Sequence, residues 1–183
     1  GQAPMPNGDT GIVVDFGASS TEIGGTATGS RNVVSSNAGD GIQISGVGTA
    51  STNIVGNYIG ANNLGEAGFG NTGNGISIVN GATGTLVGGA AAGAGNLIAS
   101  NSGNGIAASG ATTNTARFVR NSIFSNGAKG IALLNGANTG IVPPVFNPAL
   151  PLAGTTLPSA SVELFIDAEE EGKLFVGAVV SDE

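Results

Sequence analysis

The sequence contains no cysteine, no histidine and no tryptophan, and only 9% of its residues are charged. Without cysteine there is neither a disulfide framework nor a thiolate zinc site, and without histidine the commonest general base and metal ligand is missing. No run of about 18 or more apolar residues occurs, so no membrane-spanning helix is predicted. What dominates instead is glycine, 34 residues in all, which indicates many tight turns.

The charge is distributed unevenly along the chain. Up to Ala160 five acidic residues stand against four basic ones, a balance of −1, while the remaining −6 of the net −7 lies in the last 23 residues. A nearly neutral body argues against nucleic acid as a partner. The acidic end suggests a second structural unit.

The most informative pattern is a repeat of 64 residues. Ile23-Gly24-Gly25 returns as Val87-Gly88-Gly89, and Asn57-x-Ile59 returns as Asn121-x-Ile123. The register holds from Gly11 to Ile123 without a slip. Because self-similarity at a fixed period is the signature of repeat architectures, the sequence predicts a solenoid.

Within this period lie three families of short alternating segments. The first begins Gly-Ile at Gly11, Gly41, Gly75, Gly105 and Gly130; the second begins at Thr21, Thr52, Thr85 and Ala116; the third begins at Asn32, Asn57, Asn96 and Asn121. Three strands per coil, each stacked on its counterpart roughly 4.8 Å away, predict an all-β fold. Specifically, we predict a parallel β-helix of about four to five coils over 1–141.

The alternation within each segment assigns inner and outer faces. We expect Gln43, Ser77 and Asn53 to face solvent, and the glycine before each isoleucine to adopt a positive φ. Loops are expected chiefly from Gly60 to Thr72 and from Gly84 to Gly95. The apolar columns expected to point inward comprise Ile12, Ile42, Ile76, Ile131, Ile23, Ile54, Val34, Ile59, Ile98 and Ile123.

Asparagine recurs at equivalent positions in successive coils. A side-chain amide carries donors and an acceptor, so stacked asparagines form hydrogen-bonded ladders along the axis. We predict a structural role for them rather than a catalytic one. One predicted ladder contains Asn32, Asn57, Asn96 and Asn121, and the other contains Asn37, Asn101 and Asn126.

Segments such as Asn32-Val-Val-Ser-Ser-Asn37, Gly41-Ile-Gln-Ile44 and Asn57-Tyr-Ile-Gly60 resemble a known group. They look like the right-handed parallel β-helix repeats of secreted and cell-surface bacterial proteins of the pectin-lyase-like superfamily. The resemblance covers about residues 11 to 141. It implies the fold, whereas that superfamily includes lyases, hydrolases, adhesins and structural stalks, so it does not select an activity.

The periodicity stops after Gly140. Prolines make 142–160 a linker or edge segment, since proline cannot donate to a strand ladder. Residues 161–183 predict a hairpin, with strands near Ser161–Asp167 and Lys173–Val180, that is similar to the opening strands of bacterial immunoglobulin-like modules. Such sandwiches need about seven strands. The sequence therefore predicts either a fragment, which Gly1 in mid-repeat favours, or completion by the β-helix or a strand from another molecule.

The charged residues do not form an evident catalytic constellation. A β-helix lyase typically combines a carboxylate cluster holding calcium with a basic residue. Here the pattern places Asp15 and Glu22 in the first coil, Asp40 in a turn of the second and Glu66 in a loop. No cofactor is predicted; calcium at the acidic turn Asp167 to Glu171 is the weaker alternative to a solvated turn. Two other polar groups stand out: Arg117, Arg120 and Lys129 as a contact for an acidic glycan or a solvated end, and Asp40, Asn74, Asn104 and Lys129 as a polar turn column.

An apolar stripe lies on a face that alternation predicts to be outward. It comprises Val33, Tyr58 and Leu97 and ends at Ser122. Such a stripe usually marks a covered surface. It is expected either to lie beneath the long loops or the hairpin, or to contact another copy of the chain or a host structure.

These observations favour a non-enzymatic extracellular or cell-surface module, a rigid spacer or self-associating adhesive protein. Its expected partners are itself, end to end or by strand complementation, or a surface glycan or protein. The alternative is a carbohydrate-active domain that binds or cleaves acidic polysaccharide. An ice-binding solenoid would need a flat threonine array, which the outward Glu22, Asn53, Leu86 and Arg117 argue against.

Overall fold

The computed structural model describes residues 3–139, 145–147, 153–155, 161–166 and 173–180. These residues contain seventeen β-strands and no helix. No segment among them therefore forms the long apolar helix that crossing a bilayer requires.

Thirteen strands form three parallel sheets, and each sheet takes one strand from each coil. This arrangement confirms the predicted right-handed parallel β-helix. Sheet 1 contains β1 (Ile12–Val14), β4 (Ile42–Ser45), β7 (Ile76–Val79), β10 (Ile106–Ser109) and β13 (Ile131–Leu134). Sheet 2 contains β2 (Glu22–Gly24), β5 (Asn53–Val55), β8 (Leu86–Gly88) and β11 (Arg117–Val119). Sheet 3 contains β3 (Val33–Val34), β6 (Tyr58–Ile59), β9 (Leu97–Ala99) and β12 (Ser122–Phe124).

The core consists of aliphatic columns that run along the axis. In sheet 1 the strand register aligns one isoleucine from each coil. The middle members Ile42, Ile76 and Ile106 are fully buried, whereas Ile12 is half-buried and Ile131 is 44% exposed. The predicted inward orientation of these isoleucines thus holds in the middle coils. The two outer coils expose part of the same column because each has a neighbouring coil on one side only.

The prediction of positive φ for the glycine before each isoleucine is wrong. Gly11, Gly41, Gly75 and Gly105 are not among the residues with positive φ. Instead, a Cβ at any of them would lie 2.6 Å from the carbonyl oxygen of the equivalent glycine in the next coil. These positions require glycine because the coils approach each other closely there, not because the backbone turns left-handed.

The outer face of sheet 1 also differs from the prediction at one position. Asn53, on sheet 2, is exposed, and Gln43 of sheet 1 is half-buried, but Ser77 of sheet 1 is only 5% exposed. Its neighbours in the register, Ala107 and Ala132, are buried as well. Ser77 thus lies in a column of buried small side chains, and alternation alone overestimated its exposure.

Loops interrupt the coils at regular places. The loop predicted from Gly84 begins only after Gly88, because Leu86–Gly88 forms β8. In the loop from Gly60 to Thr72, Ala61 bridges to Ala67 in antiparallel fashion. Each long excursion therefore leaves the coil after a strand and returns before the next one.

The C-terminal part contains two antiparallel pairs. β14 (Val145–Asn147) pairs with β15 (Ala153–Thr155) inside the segment predicted as a linker. β16 (Ser161–Ile166) pairs with β17 (Leu174–Val180) with an irregularity between Leu164 and Phe165, which confirms the antiparallel C-terminal segment. The prolines at 143, 144, 148 and 151 and the predicted acidic turn from Asp167 to Glu171 lie outside the described residues.

Candidate functional site

A ladder of asparagine side chains runs between sheets 2 and 3. Nδ2 of Asn32 donates to Oδ1 of Asn57 at 3.0 Å, Asn57 donates to Asn96 at 3.1 Å, and Asn96 donates to Asn121 at 2.9 Å. The main-chain N–H of each donating residue also bonds to the same oxygen. The amides of Asn57, Asn96 and Asn121 are buried. Each oxygen thus accepts two hydrogen bonds from the preceding coil and ties it to the next.

A second ladder lies between sheets 3 and 1. Nδ2 of Asn37 donates to Asn71 at 2.8 Å, Asn71 donates to Asn101 at 2.8 Å, and Asn101 donates to Asn126 at 2.9 Å. Asn71 was absent from the predicted ladder because it falls inside the segment assigned to a loop. The signal that identifies it is local: Asn71-Thr-Gly-Asn-Gly75 repeats as Asn101-Ser-Gly-Asn-Gly105.

Left-handed residues precede five of the eight ladder asparagines. Ser36, Ser100 and Ser125 precede ladder asparagines and have φ of 60°, 61° and 55°. Gly56 and Arg120 do the same before Asn57 and Asn121, with φ of 69° and 52°. A single αL residue turns the chain sharply, so the next side chain points into the corner between two sheets.

In a third polar column the hydrogen bonds run opposite to those of the two ladders: the residue of the later coil donates and the residue of the earlier coil accepts. Oδ1 of Asp40 accepts from the main-chain N–H and Nδ2 of Asn74 at 2.6 and 3.1 Å. Oδ1 of Asn74 accepts in the same way from Asn104, whose own Oδ1 accepts from the N–H of Lys129. A carboxylate only accepts hydrogen bonds, so Asp40 fits at the first-coil end of this column and at no later rung.

The three basic residues predicted to form a patch occupy different surroundings. The guanidinium of Arg120 donates to the carbonyl of Ala90 at 2.7 Å and lies 4.8 Å from the ring centroid of Phe175. Its Nε is 4.0 Å from the carboxylate of Glu163. Arg117 lies exposed on β11, and Lys129 is exposed at the end of the polar column. Among the described residues no contact joins the three.

The predicted contact stripe is partly covered. The guanidinium of Arg31 lies 3.9 Å from the ring centroid of Tyr58, and a Cβ on Gly65 would approach that ring to 3.3 Å. At the far end, Oγ of Ser122 donates to the carbonyl of Lys173. Val33 remains 39% exposed and Leu97 is half-buried. Arginine, loop and hairpin thus cover different parts of the stripe, and its use as a contact surface stays a prediction.

Over 3–139 and the described strand residues beyond, no three acidic side chains come together as metal ligands would. A cavity of about 440 Å³ opens at the first coil, lined by residues that include Met5, Arg31, Asn32 and Val33.

Comparisons with protein families, curated proteins and solved structures find no match for this chain. The most regular polar feature of the described residues is the hydrogen bonding between asparagine side chains along the axis.

Proposed function

We propose that this chain is a non-enzymatic structural or adhesive module of an extracellular or cell-surface protein, and that it acts as a rigid spacer that associates with other copies. The observation that carries the proposal is the pair of asparagine ladders, each joining four successive coils. Buried polar networks with every member paired favour one rigid arrangement. The ladders therefore support a load-resisting rod.

The finer family assignment belongs to the same proposal. The parallel β-helix supports a relationship to the pectin-lyase-like superfamily of secreted and surface bacterial proteins. The antiparallel pair of β16 and β17 supports a relationship to the first strands of an immunoglobulin-like module. A solenoid followed by such a module is an arrangement suited to projecting from a surface, which is the basis for the extracellular assignment.

Pulling experiments on single molecules test the spacer function. With the chain held at Gly11 and Thr139, the wild-type protein is expected to resist extension and unfold in discrete force peaks. Asn57→Ala and Asn96→Ala should lower the peak force, because each removes buried hydrogen bonds on both sides of a rung. Arg117→Ala, which changes an exposed side chain of β11, is the control that should leave the peak force unchanged. Extension without force peaks would contradict the proposal.

A carbohydrate-active domain is the alternative, and the exposed side chains of Arg117 and Lys129 favour it. Such residues attract the carboxylates of acidic polysaccharides. Electrophoresis in gels containing polygalacturonate or alginate separates the two functions. The structural proposal expects unchanged mobility. Retardation that is lost in Arg117→Ala and Lys129→Ala would support the alternative instead.

A further inference from the structure

We propose that Asn135 is a site of spontaneous covalent modification, where the side chain deamidates through a cyclic imide to isoaspartate and aspartate. The proposal goes beyond the proposed function, because it concerns the chemistry of one turn of the solenoid. Three observations support it: the conformation of the turn, a reacting nitrogen without a hydrogen bond among the described residues, and a second turn of like sequence in which that hydrogen bond is made.

The reaction needs only an asparagine, the residue that follows it and water. The main-chain nitrogen of Gly136 attacks Cγ of Asn135, and the bond from Cγ to the side-chain nitrogen breaks. The proton of the attacking N–H passes through solvent to the side-chain nitrogen, which leaves as ammonia. Water then opens the imide at one of its two carbonyls and gives isoaspartate or aspartate. Glycine hinders the attack least, because it has no Cβ.

The sequence between Ile12 and Thr139 contains five Asn-Gly pairs, so it marks five candidates of the same chemical kind. The pairs begin at Asn74, Asn80, Asn104, Asn126 and Asn135. In the first four pairs the glycine N–H donates to an acceptor in a neighbouring coil, over distances of 2.8 to 3.1 Å. That hydrogen bond must break before the nitrogen loses its proton and attacks Cγ. The fold therefore slows the reaction at these four pairs.

The fifth pair forms the turn that follows β13. Asn135 and Gly136 have φ of 50° and 79°, and the N–H of Ala137 donates to the carbonyl of Leu134 at 3.0 Å. Positive φ at both central residues and this closing hydrogen bond define a type I′ turn, for which Asn-Gly is the preferred pair. Both central residues are exposed. Among the described residues, no acceptor takes the N–H of Gly136.

A second turn of like sequence provides an internal comparison. Asn80 and Gly81 follow β7 with φ of 56° and 86°, and the N–H of Ala82 donates to the carbonyl of Val79 at 3.2 Å. In both turns Nδ2 of the asparagine donates to a serine Oγ of the preceding coil at 3.0 Å. Both asparagines are exposed. The two turns thus agree in sequence, backbone conformation and side-chain contact.

The two turns differ at the glycine nitrogen. Gly81 is buried, and its N–H donates at 3.1 Å to Oγ1 of Thr113, a fully buried residue of the next coil. The same hydroxyl donates to the carbonyl of Ser109 at 2.8 Å, which fixes its orientation as an acceptor. Gly136 is exposed, and no threonine among the described residues takes this place beside it. The structure therefore protects the earlier turn and leaves the later one reactive.

Modification of Asn135 leaves the asparagine ladders intact. Asn126 is a rung of the second ladder, and Asn74 and Asn104 are rungs of the third polar column. Isoaspartate at any of these three would add an atom to the main chain and remove a side-chain amide that donates a hydrogen bond. Asn135 belongs to no ladder. The modified protein is expected to keep its ladders and to gain one negative charge at an exposed turn.

Peptide mapping by mass spectrometry tests the proposal on the folded protein, incubated at mildly alkaline pH below its unfolding temperature. Each peptide reports the conversion of its own asparagine, and methylation by an isoaspartyl methyltransferase identifies the isoaspartate. Asn135 should convert faster than Asn80 by about tenfold or more, a ratio that corresponds to about 1.4 kcal/mol. In concentrated urea the two asparagines should convert at similar rates, because the difference comes from the fold.

Two substitutions of Thr113 test the assigned cause. Thr113→Val removes the acceptor but keeps the shape of the side chain, and it should raise the conversion rate of Asn80 by about fivefold or more. Thr113→Ser retains a hydroxyl and should leave that rate close to the wild-type value. Neither substitution should change the rate at Asn135. A general loosening of the fold would also raise the rate at Asn104, which serves as the control.

Three results overturn the proposal. Equal conversion of Asn135 and Asn80 in the folded protein means that the hydrogen bond to Thr113 does not decide the site. Conversion of Asn135 in urea but not in the folded protein means that the fold protects this turn as well. A folded Thr113→Val protein that converts Asn80 at the wild-type rate excludes the assigned cause. The pulling and gel experiments on the proposed function are independent of all three results.

Discussion

The carboxylate of Glu163 accepts a hydrogen bond from the main-chain N–H of Arg120, just as the carbonyl of Ala94 accepts one from the N–H of Gly56. The N–O distances are 2.8 Å and 3.0 Å. Gly56 and Arg120 are equivalent positions of the 64-residue repeat, and both have positive φ. A carboxylate from β16 therefore takes the place that a carbonyl of the following coil takes elsewhere in the solenoid.

This contact gives the first prediction. Glu163→Ala should accelerate hydrogen exchange of the Arg120 amide by about tenfold or more, because a hydrogen bond to a charged group contributes about 1.5 kcal/mol or more. Glu163→Gln retains a side-chain oxygen and should show a smaller increase. Equal exchange rates in wild type and Glu163→Ala, measured by NMR, would mean that the carboxylate does not protect this amide.

The direction of the third polar column gives the second prediction. Asp40→Asn should change the free energy of unfolding by about 0.5 kcal/mol or less, because an amide oxygen accepts the bonds from Asn74 as the carboxylate does. Asn74→Asp should cost about 2 kcal/mol, since the new carboxylate loses the donor that faces Asp40. Urea denaturation of both variants measures the difference. Similar effects of the two substitutions would contradict the assigned direction.

Buried threonines provide the third prediction. Among the residues that the structure describes, the buried Oγ1 atoms of Thr52 and Thr85 have no hydrogen-bond partner. Thr52→Val should therefore be neutral or stabilise the protein by about 1 kcal/mol, because it removes an unpaired polar atom.

Thr49 is the matched control for Thr52→Val, since it is equally buried but donates to the carbonyl of Ser45 at 2.8 Å and accepts from the N–H of Gly17 at 3.2 Å. Thr49→Val should destabilise by about 1–3 kcal/mol. Thermal unfolding followed by circular dichroism compares the two. A larger loss for Thr52→Val than for Thr49→Val would show that the Thr52 hydroxyl has a partner.

Two left-handed glycines give the fourth prediction. Gly88 and Gly93 have φ of 84° and 75°, so alanine costs about 1–2 kcal/mol at either from backbone strain. At Gly88 the added Cβ would also lie 2.0 Å from the carbonyl oxygen of Val119, whereas at Gly93 nothing lies within 4 Å. Gly88→Ala should therefore cost about 4 kcal/mol or more. Equal unfolding midpoints in urea would refute the close approach of the coils at Gly88.

The sequence predicts the fold well because a stacked solenoid repeats the same local chemistry in every coil. Identical residues at a fixed interval, such as Asn32 and Asn96, must occupy equivalent places, and alternation assigns most faces. Asn71 and Ser77 show where this reasoning stops. Asn71 was obscured by a loop of irregular length, and the burial of Ser77 depends on its neighbours in space rather than on its own segment.

By itself, the sequence determined the three strand families, the coil period and the absence of cysteine and histidine chemistry, because these follow from residue identity and spacing. Only the tertiary structure decided what spacing does not encode. It set the opposite directions of the asparagine and Asp40 columns, the close approach that requires glycine at Gly41, and the position of Glu163 against Arg120. Each of these depends on atoms brought together from coils or strands tens of residues apart, whose distances are set by the packing of the whole solenoid.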